Sequence, residues 1–166
     1  QQQLIATDLG NQQSIEEEVW EEIYLIGNPP YQGARKQTDE QKDDFFCYFK
    51  DEEYSGNLDY IALWFIKGAR YISKSKAELA FVSTNSVCQG EHVSLMFPKI
   101  FNEDVEIGFA YTSFKWKNSA ARNAGVTVII LNLRPKSKKS KKIYSDGYIT
   151  SANNINAYLA DSNVNF

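Results

Sequence analysis

The sharpest chemical signal in the sequence is the run Asn28-Pro29-Pro30-Tyr31. An amino group conjugated to an aromatic ring, such as N6 of adenine, is a weak nucleophile because its lone pair is delocalised into the ring. Two acceptors that each take one amine hydrogen favour a tetrahedral nitrogen and localise that lone pair for attack on a methyl donor. The side-chain oxygen of Asn28 supplies one acceptor and the carbonyl of Pro29 the other. Consecutive prolines fix φ at about −65°, which holds the second acceptor in place before a base arrives. Tyr31 offers a ring face to a base swung out of a duplex, replacing lost stacking worth about 1–3 kcal/mol. The attacking nitrogen turns cationic as it gains the methyl group and then loses a proton readily, so this chemistry requires no side chain of specially shifted pKa.

Proline makes up about 5% of residues in ordinary proteins, so a Pro-Pro pair arises about once in 400 positions. With Asn before it and Tyr after it, a chance occurrence is rarer still. The alternative is a rigid turn that merely breaks a strand. Placement favours the chemistry. The tetrapeptide follows Ile23-Tyr24-Leu25-Ile26, a short apolar run within a strand expected over 21–27, and ligands of open α/β sheets bind outside the carboxyl ends of strands.

The elements that must position this corner are also legible. Thr38-Asp39-Glu40-Gln41 has the form of a capping box, predicting a helix to about Lys50. From Leu58 the apolar residues Ile61, Ala62, Phe65, Ile66, Ala69 and Ile72 fall on one helical face, to about Ser73. Leu79-Ala80-Phe81-Val82 reads as a buried strand, and Gly90 to about Phe101 as a helix strained or ended by Pro98. Val105 to Ser113 and Val126 to Leu133 read as two further strands able to pair as a hairpin. The order predicts an α/β sheet with parallel early strands, a C-terminal antiparallel hairpin and helices on its faces. Arg134 to Lys142 reads as a solvated Lys/Ser turn, and Asn163-Val164-Asn165-Phe166 as a strand just beginning.

Composition excludes several classes. At 166 residues, 43% hydrophobic and net charge −3, the chain is an ordinary globular one with no overall basic field, so any nucleic-acid contact must be local. Cys47 and Cys88 lie apart amid apolar or aromatic neighbours, which suits reduced thiols in a cytoplasmic protein. No apolar run approaches the length of a membrane span, and Gln1-Gln2-Gln3 does not open a signal peptide. Neither a metal site nor a membrane partner is expected: His92 is a lone histidine without a second ligand in metal spacing. The acids Asp39, Glu40, Asp43 and Asp44 suit helix-end electrostatics. Both ends of the chain look cut, as in a fragment.

With these blocks assembled, the sequence resembles the N6-adenine DNA methyltransferases that carry an Asn-Pro-Pro-aromatic motif, and most closely the MmeI-like group of single-chain type II restriction-modification enzymes. Three further blocks carry the resemblance, which covers about 24–159. They are Leu58-Asp59-Tyr60-Ile61-Ala62 with Lys67-Gly68-Ala69-Arg70-Tyr71, then Phe81-Val82-Ser83-Thr84-Asn85-Ser86-Val87 followed by Gln89-Gly90-Glu91. The last is Phe109-Ala110-Tyr111-Thr112-Ser113-Phe114-Lys115-Trp116 with Ala124-Gly125-Val126. The resemblance implies a partial Rossmann-like sheet of an S-adenosylmethionine-dependent methyltransferase. It also implies that Phe114 packs against a flipped adenine from the side opposite Tyr31; on its own, Phe114 reads as a strand-end core residue. Arg35, Lys36, Lys115, Trp116, Lys117 and Arg122 are candidate contacts to double-stranded DNA, although exposed loops also acquire such residues by chance.

The resemblance also implies what this segment omits. The Gly-rich turn that grips the methionine part of S-adenosylmethionine, and the acid for its ribose, belong to a preceding half. Residues 1–20 are then a linker, 21–135 the catalytic part, and 136–166 a basic turn and connection toward a target-recognition domain. The expected partners are DNA and those other parts of the same protein, and the isolated fragment is expected to be inactive. Rival readings are methylation of a protein glutamine amide or an RNA base amine, and a non-catalytic methyltransferase-like module that binds DNA. Cytosine-N4 enzymes usually carry Ser where this chain has Asn28.

Overall fold

In the computed structural model, which describes residues 22–115 and 126–165, the first apolar run forms strand β1 (Tyr24–Gly27). Pro29 and Pro30 have no N–H with which to extend its ladder. The capping box forms as expected: Gln41 N–H donates to Thr38 Oγ1 at 3.3 Å and Thr38 N–H to Gln41 Oε1 at 3.1 Å. Helix α1 (Asp39–Phe49) follows and turns Phe45 and Phe49 into the core.

Helix α2 (Tyr60–Ile72) starts later than its apolar periodicity suggests. Asp59 is its N-cap and accepts the Ile61 N–H at 3.1 Å, while Leu58 is buried ahead of the cap. Its inner face is closely applied to strand β2 (Glu78–Thr84): a Cβ on Gly68 would stand 2.5 Å from Leu79 Cδ2. Helix α3 (Glu91–Phe101) runs past Pro98, which lies in its last turn, where one lost hydrogen bond does not end the helix. The remaining strands are β3 (Val105–Lys115), β4 (Thr127–Pro135), β5 (Lys141–Ser145) and β6 (Tyr148–Ala152).

Together they form one sheet in the order β1-β2-β4-β3-β5-β6. β1 and β2 are parallel, and β3 and β4 pair antiparallel as expected. β4 also pairs antiparallel with β2, so it lies between β2 and β3. The β5–β6 hairpin, joined parallel to β3, is not foreseen by a sequence reading that takes Lys141 and Lys142 for the end of a solvated turn. Asn163 and Val164 form bends and Asn165 is irregular, not the strand their alternation suggests.

The two faces of the sheet differ. Leu79, Phe81, Leu131, Leu133, Ile107 and Ala110 share one buried cluster with α2, α3, Phe45 and Phe49. On the opposite face, successive register partners Val82, Ile130, Tyr111, Tyr144 and Ile149 form a row that stays partly or largely exposed. Among the described residues, no helix is long and apolar enough to cross a membrane.

Candidate active site

Asn28-Pro29-Pro30-Tyr31 leaves the sheet where Gly27 pairs with Phe81, at the carboxyl edge of β1. Pro29 is buried and anchors the corner, whereas Asn28, Pro30 and Tyr31 are exposed. Asn28 and Tyr31 therefore face solvent and are not folded into the interior, as presentation of an amide acceptor and a ring to an incoming base requires.

The loop is fixed from behind by the start of α2. Gln32 N–H donates to Asp59 Oδ1 at 3.0 Å, and Gln32 O accepts from Tyr60 N–H at 2.9 Å. Gln37 Nε2 donates to Gln32 O at 3.3 Å and to Leu58 O at 2.9 Å, while Gln32 Nε2 reaches Lys36 O at 2.7 Å. None of Gln32, Gln37 and Asp59 stands out from sequence as a site residue. The available signal was an Asp two residues into the Leu58 block, immediately before a helical apolar face.

Strands β1, β2, β3 and β5 run the same way, so Tyr31 and Phe114 stand at the same edge of the sheet. β2 and β4 lie between their strands, about 14 Å at ordinary strand spacing, and the two rings are not in contact. A bulge between Tyr111 and Phe114 brings residues three apart onto one face, with their ring centroids 6.5 Å apart. Phe114 is thereby half-buried beside a groove of about 790 Å³ that it lines with Tyr111, Lys115, Tyr144, Tyr148 and Ile149. It is not the enclosed strand-end core residue that its sequence position alone suggests.

Of the candidate DNA contacts, Arg35 and Lys36 are exposed on a short 3-10 turn (Ala34–Lys36), lining a groove with Asn57 and Glu91. Lys115 is exposed at the end of β3. Trp116, Lys117 and Arg122 lie outside the described residues. In the Lys-rich segment, Lys136 pairs with Asp104 at 2.8 Å and Lys139 with Glu78 at 3.3 Å. Lys141 is no part of a solvated turn: it and Arg134 both meet the nearly buried Glu106 carboxylate at 2.9 Å. Burial pushes Glu106 up, but the hydrogen bonds and charges of Lys141 and Arg134 prevail and hold it below the ordinary carboxylate range.

Cys88 is buried, which pushes its thiol up and leaves it inert, while Cys47 is exposed. Among the described residues, no group of three or more His, Cys, Asp or Glu is placed to hold a metal ion.

The arrangement has counterparts in known proteins. A family model described as the MmeI DNA-methyltransferase domain matches residues 3–145. DNA methyltransferase A of Bacillus subtilis (strain 168) is 45% identical over 142 residues, covering 85% of this chain and 16% of that protein. A solved structure of the type IIL restriction-modification enzyme MmeI in complex with DNA superposes with a TM-score of 0.79 at 37% identity. It covers 86% of this chain and 20% of the MmeI chain. This chain thus spans a fifth or less of the length of either relative.

Proposed function

The chain belongs to the MmeI DNA-methyltransferase domain family, and from that premise we propose that Asn28-Pro29-Pro30-Tyr31 is the amine-binding corner of a DNA methyltransferase acting on adenine N6. Asn28 Oδ1 and the Pro29 carbonyl accept the two amine hydrogens. Tyr31 stacks on one side of the extruded base and Phe114 packs from the other. Arg35, Lys36 and Lys115, with Trp116, Lys117 and Arg122, contact the flanking backbone. The biological setting is a restriction-modification or phage-defence protein.

The observation that carries this reading is the exposed Asn28 and Tyr31 over a buried Pro29, at the carboxyl edge that also ends in Phe114. S-adenosylmethionine supplies the methyl group in such a reaction. The described glycines stand singly and form no Gly-rich turn at a strand end, so these residues do not fit the cofactor's methionine part, and we assign that grip to another portion of the protein.

The test is Asn28→Ala in the full-length protein. Removing a preorganised partner of the developing charge should slow methylation by about 10²–10³-fold or more, with DNA affinity preserved. Undiminished methylation would refute the assignment. Offering DNA, RNA and protein-glutamine substrates side by side decides the substrate class, and methyl transfer to RNA or protein alone would replace the DNA reading.

A further inference from the structure

We propose that Asp59 is a positioning residue for methyl transfer, fixing the peptide plane that follows Tyr31 and thereby the aim of the whole corner. The inference rests on the role proposed above for Asn28 and Tyr31.

A helix cap requires one acceptor for one early N–H of the helix. Asp59 does more. Its Oδ1 accepts the Ile61 N–H at 3.1 Å and also the Gln32 N–H at 3.0 Å, from a segment 27 positions earlier. The Gln32 N–H lies in the peptide plane that contains the Tyr31 carbonyl, so holding it removes rotation about the Tyr31 Cα–C bond. The next plane is held as well, because Gln32 O accepts from Tyr60 N–H and from Gln37 Nε2. Two successive peptide planes are thus tied to the first turn of α2, a helix locked by Ile61, Phe65, Ile66 and Ala69 in the core.

On the other side, Gly27 is tied into the β1–β2 ladder and two prolines fix their own φ. The corner is a short bridge between two rigid supports, and Asp59 is the buried junction at one of them, 8% exposed. Such preorganisation matters to catalysis because a displacement of about 1 Å at the reacting centre can slow a reaction about 100-fold.

The test separates the cap from the clamp in the full-length protein. Asp59→Ser keeps a good helix cap, but its shorter side chain cannot also reach the Gln32 N–H. Asp59→Asn keeps an acceptor oxygen in place for both. The expected result is a single-turnover methylation rate slowed about 10–100-fold in Asp59→Ser, with DNA affinity and melting temperature near wild type. Asp59→Asn should stay within about threefold of wild type, because the geometry is retained.

A wild-type rate in Asp59→Ser would reduce Asp59 to a helix cap and overturn the inference. So would an Asp59→Asn as slow as the serine variant. If the serine variant melts early, its rate is measured below its melting range and scaled to the folded fraction given by circular dichroism; a slowed rate per folded molecule supports the clamp and a wild-type one overturns it. The two proposals fail separately: an active Asn28→Ala defeats the amine-binding corner, whereas an inactive Asn28→Ala beside a fully active Asp59→Ser defeats only the positioning role.

Discussion

At the β1 end of the sheet, the corner from Asn28 to Gln32 is held by hydrogen bonds of 2.7–3.3 Å to the start of α2 and to its own loop. At the β3–β5 end, geometry is set by the Glu106, Arg134 and Lys141 cluster and by Tyr111 stacked on Tyr144, with ring centroids 4.3 Å apart and planes 7° from parallel. A hydrogen bond contributes only about 0.5–1.5 kcal/mol net but fixes direction. Breaking a buried ion pair costs about 3–5 kcal/mol because a desolvated charge is left behind. The first end is therefore built for aim and the second for attachment. Damage at the first should register in rate, and damage at the second in stability.

The largest expected effect lies at the second end. Glu106→Ala leaves Arg134 and Lys141 without their shared acceptor and should destabilise the fold by about 3–5 kcal/mol in urea titrations. Because the folded Glu106 sits below its ordinary value, its contribution is complete above the ordinary carboxylate pKa and is lost as pH falls through the lowered folded value. Wild type should thus show a steeper acid limb in its melting temperature than Glu106→Ala, in which the limb that remains comes from other carboxylates such as Glu52. A variant as stable as wild type would break the comparison.

Next is Gly108→Ala on β3, where an added Cβ would stand 2.3 Å from Asn132 Oδ1 and 2.8 Å from Arg134 Cδ. It should cost about 1–3 kcal/mol by overpacking, again seen in denaturation. The smallest is Thr38→Ala, which dissolves the capping box at the loop end and should cost about 1 kcal/mol in thermal melts. A stability loss there as large as that of Glu106→Ala would erase the distinction between the two ends.

Much of this architecture could be read from residue types. Thr38 and Gln41 announced α1, and the prolines after 23–26 marked both the end of β1 and the candidate corner. Periodicity alone places the start of α2 too early, because Leu58 continues the apolar pattern although it precedes the Asp59 cap, and a periodicity count does not see capping. The β5–β6 hairpin was hidden by Lys141 and Lys142, which look solvated until Glu106 is found beside the first of them. A signal was present in Asp146-Gly147, whose φ values of 49° and 83° suit a two-residue hairpin turn. The hold of Asp59 on Gln32 was not legible, because it joins residues distant in sequence through a backbone N–H that any residue type possesses.

The late strand β4 has a consequence for synthesis. A nascent chain that has emerged only as far as Lys115 carries β2 and β3 with facing edges and no strand to bridge them, since β4 arrives afterwards. Of the run β1-β2-β4-β3, the junction filled by β4 is therefore the last to close. At about 5–20 residues per second, the stretch from the end of β3 to the end of β4 takes about 1–4 seconds, during which two open edges are available to wrong partners.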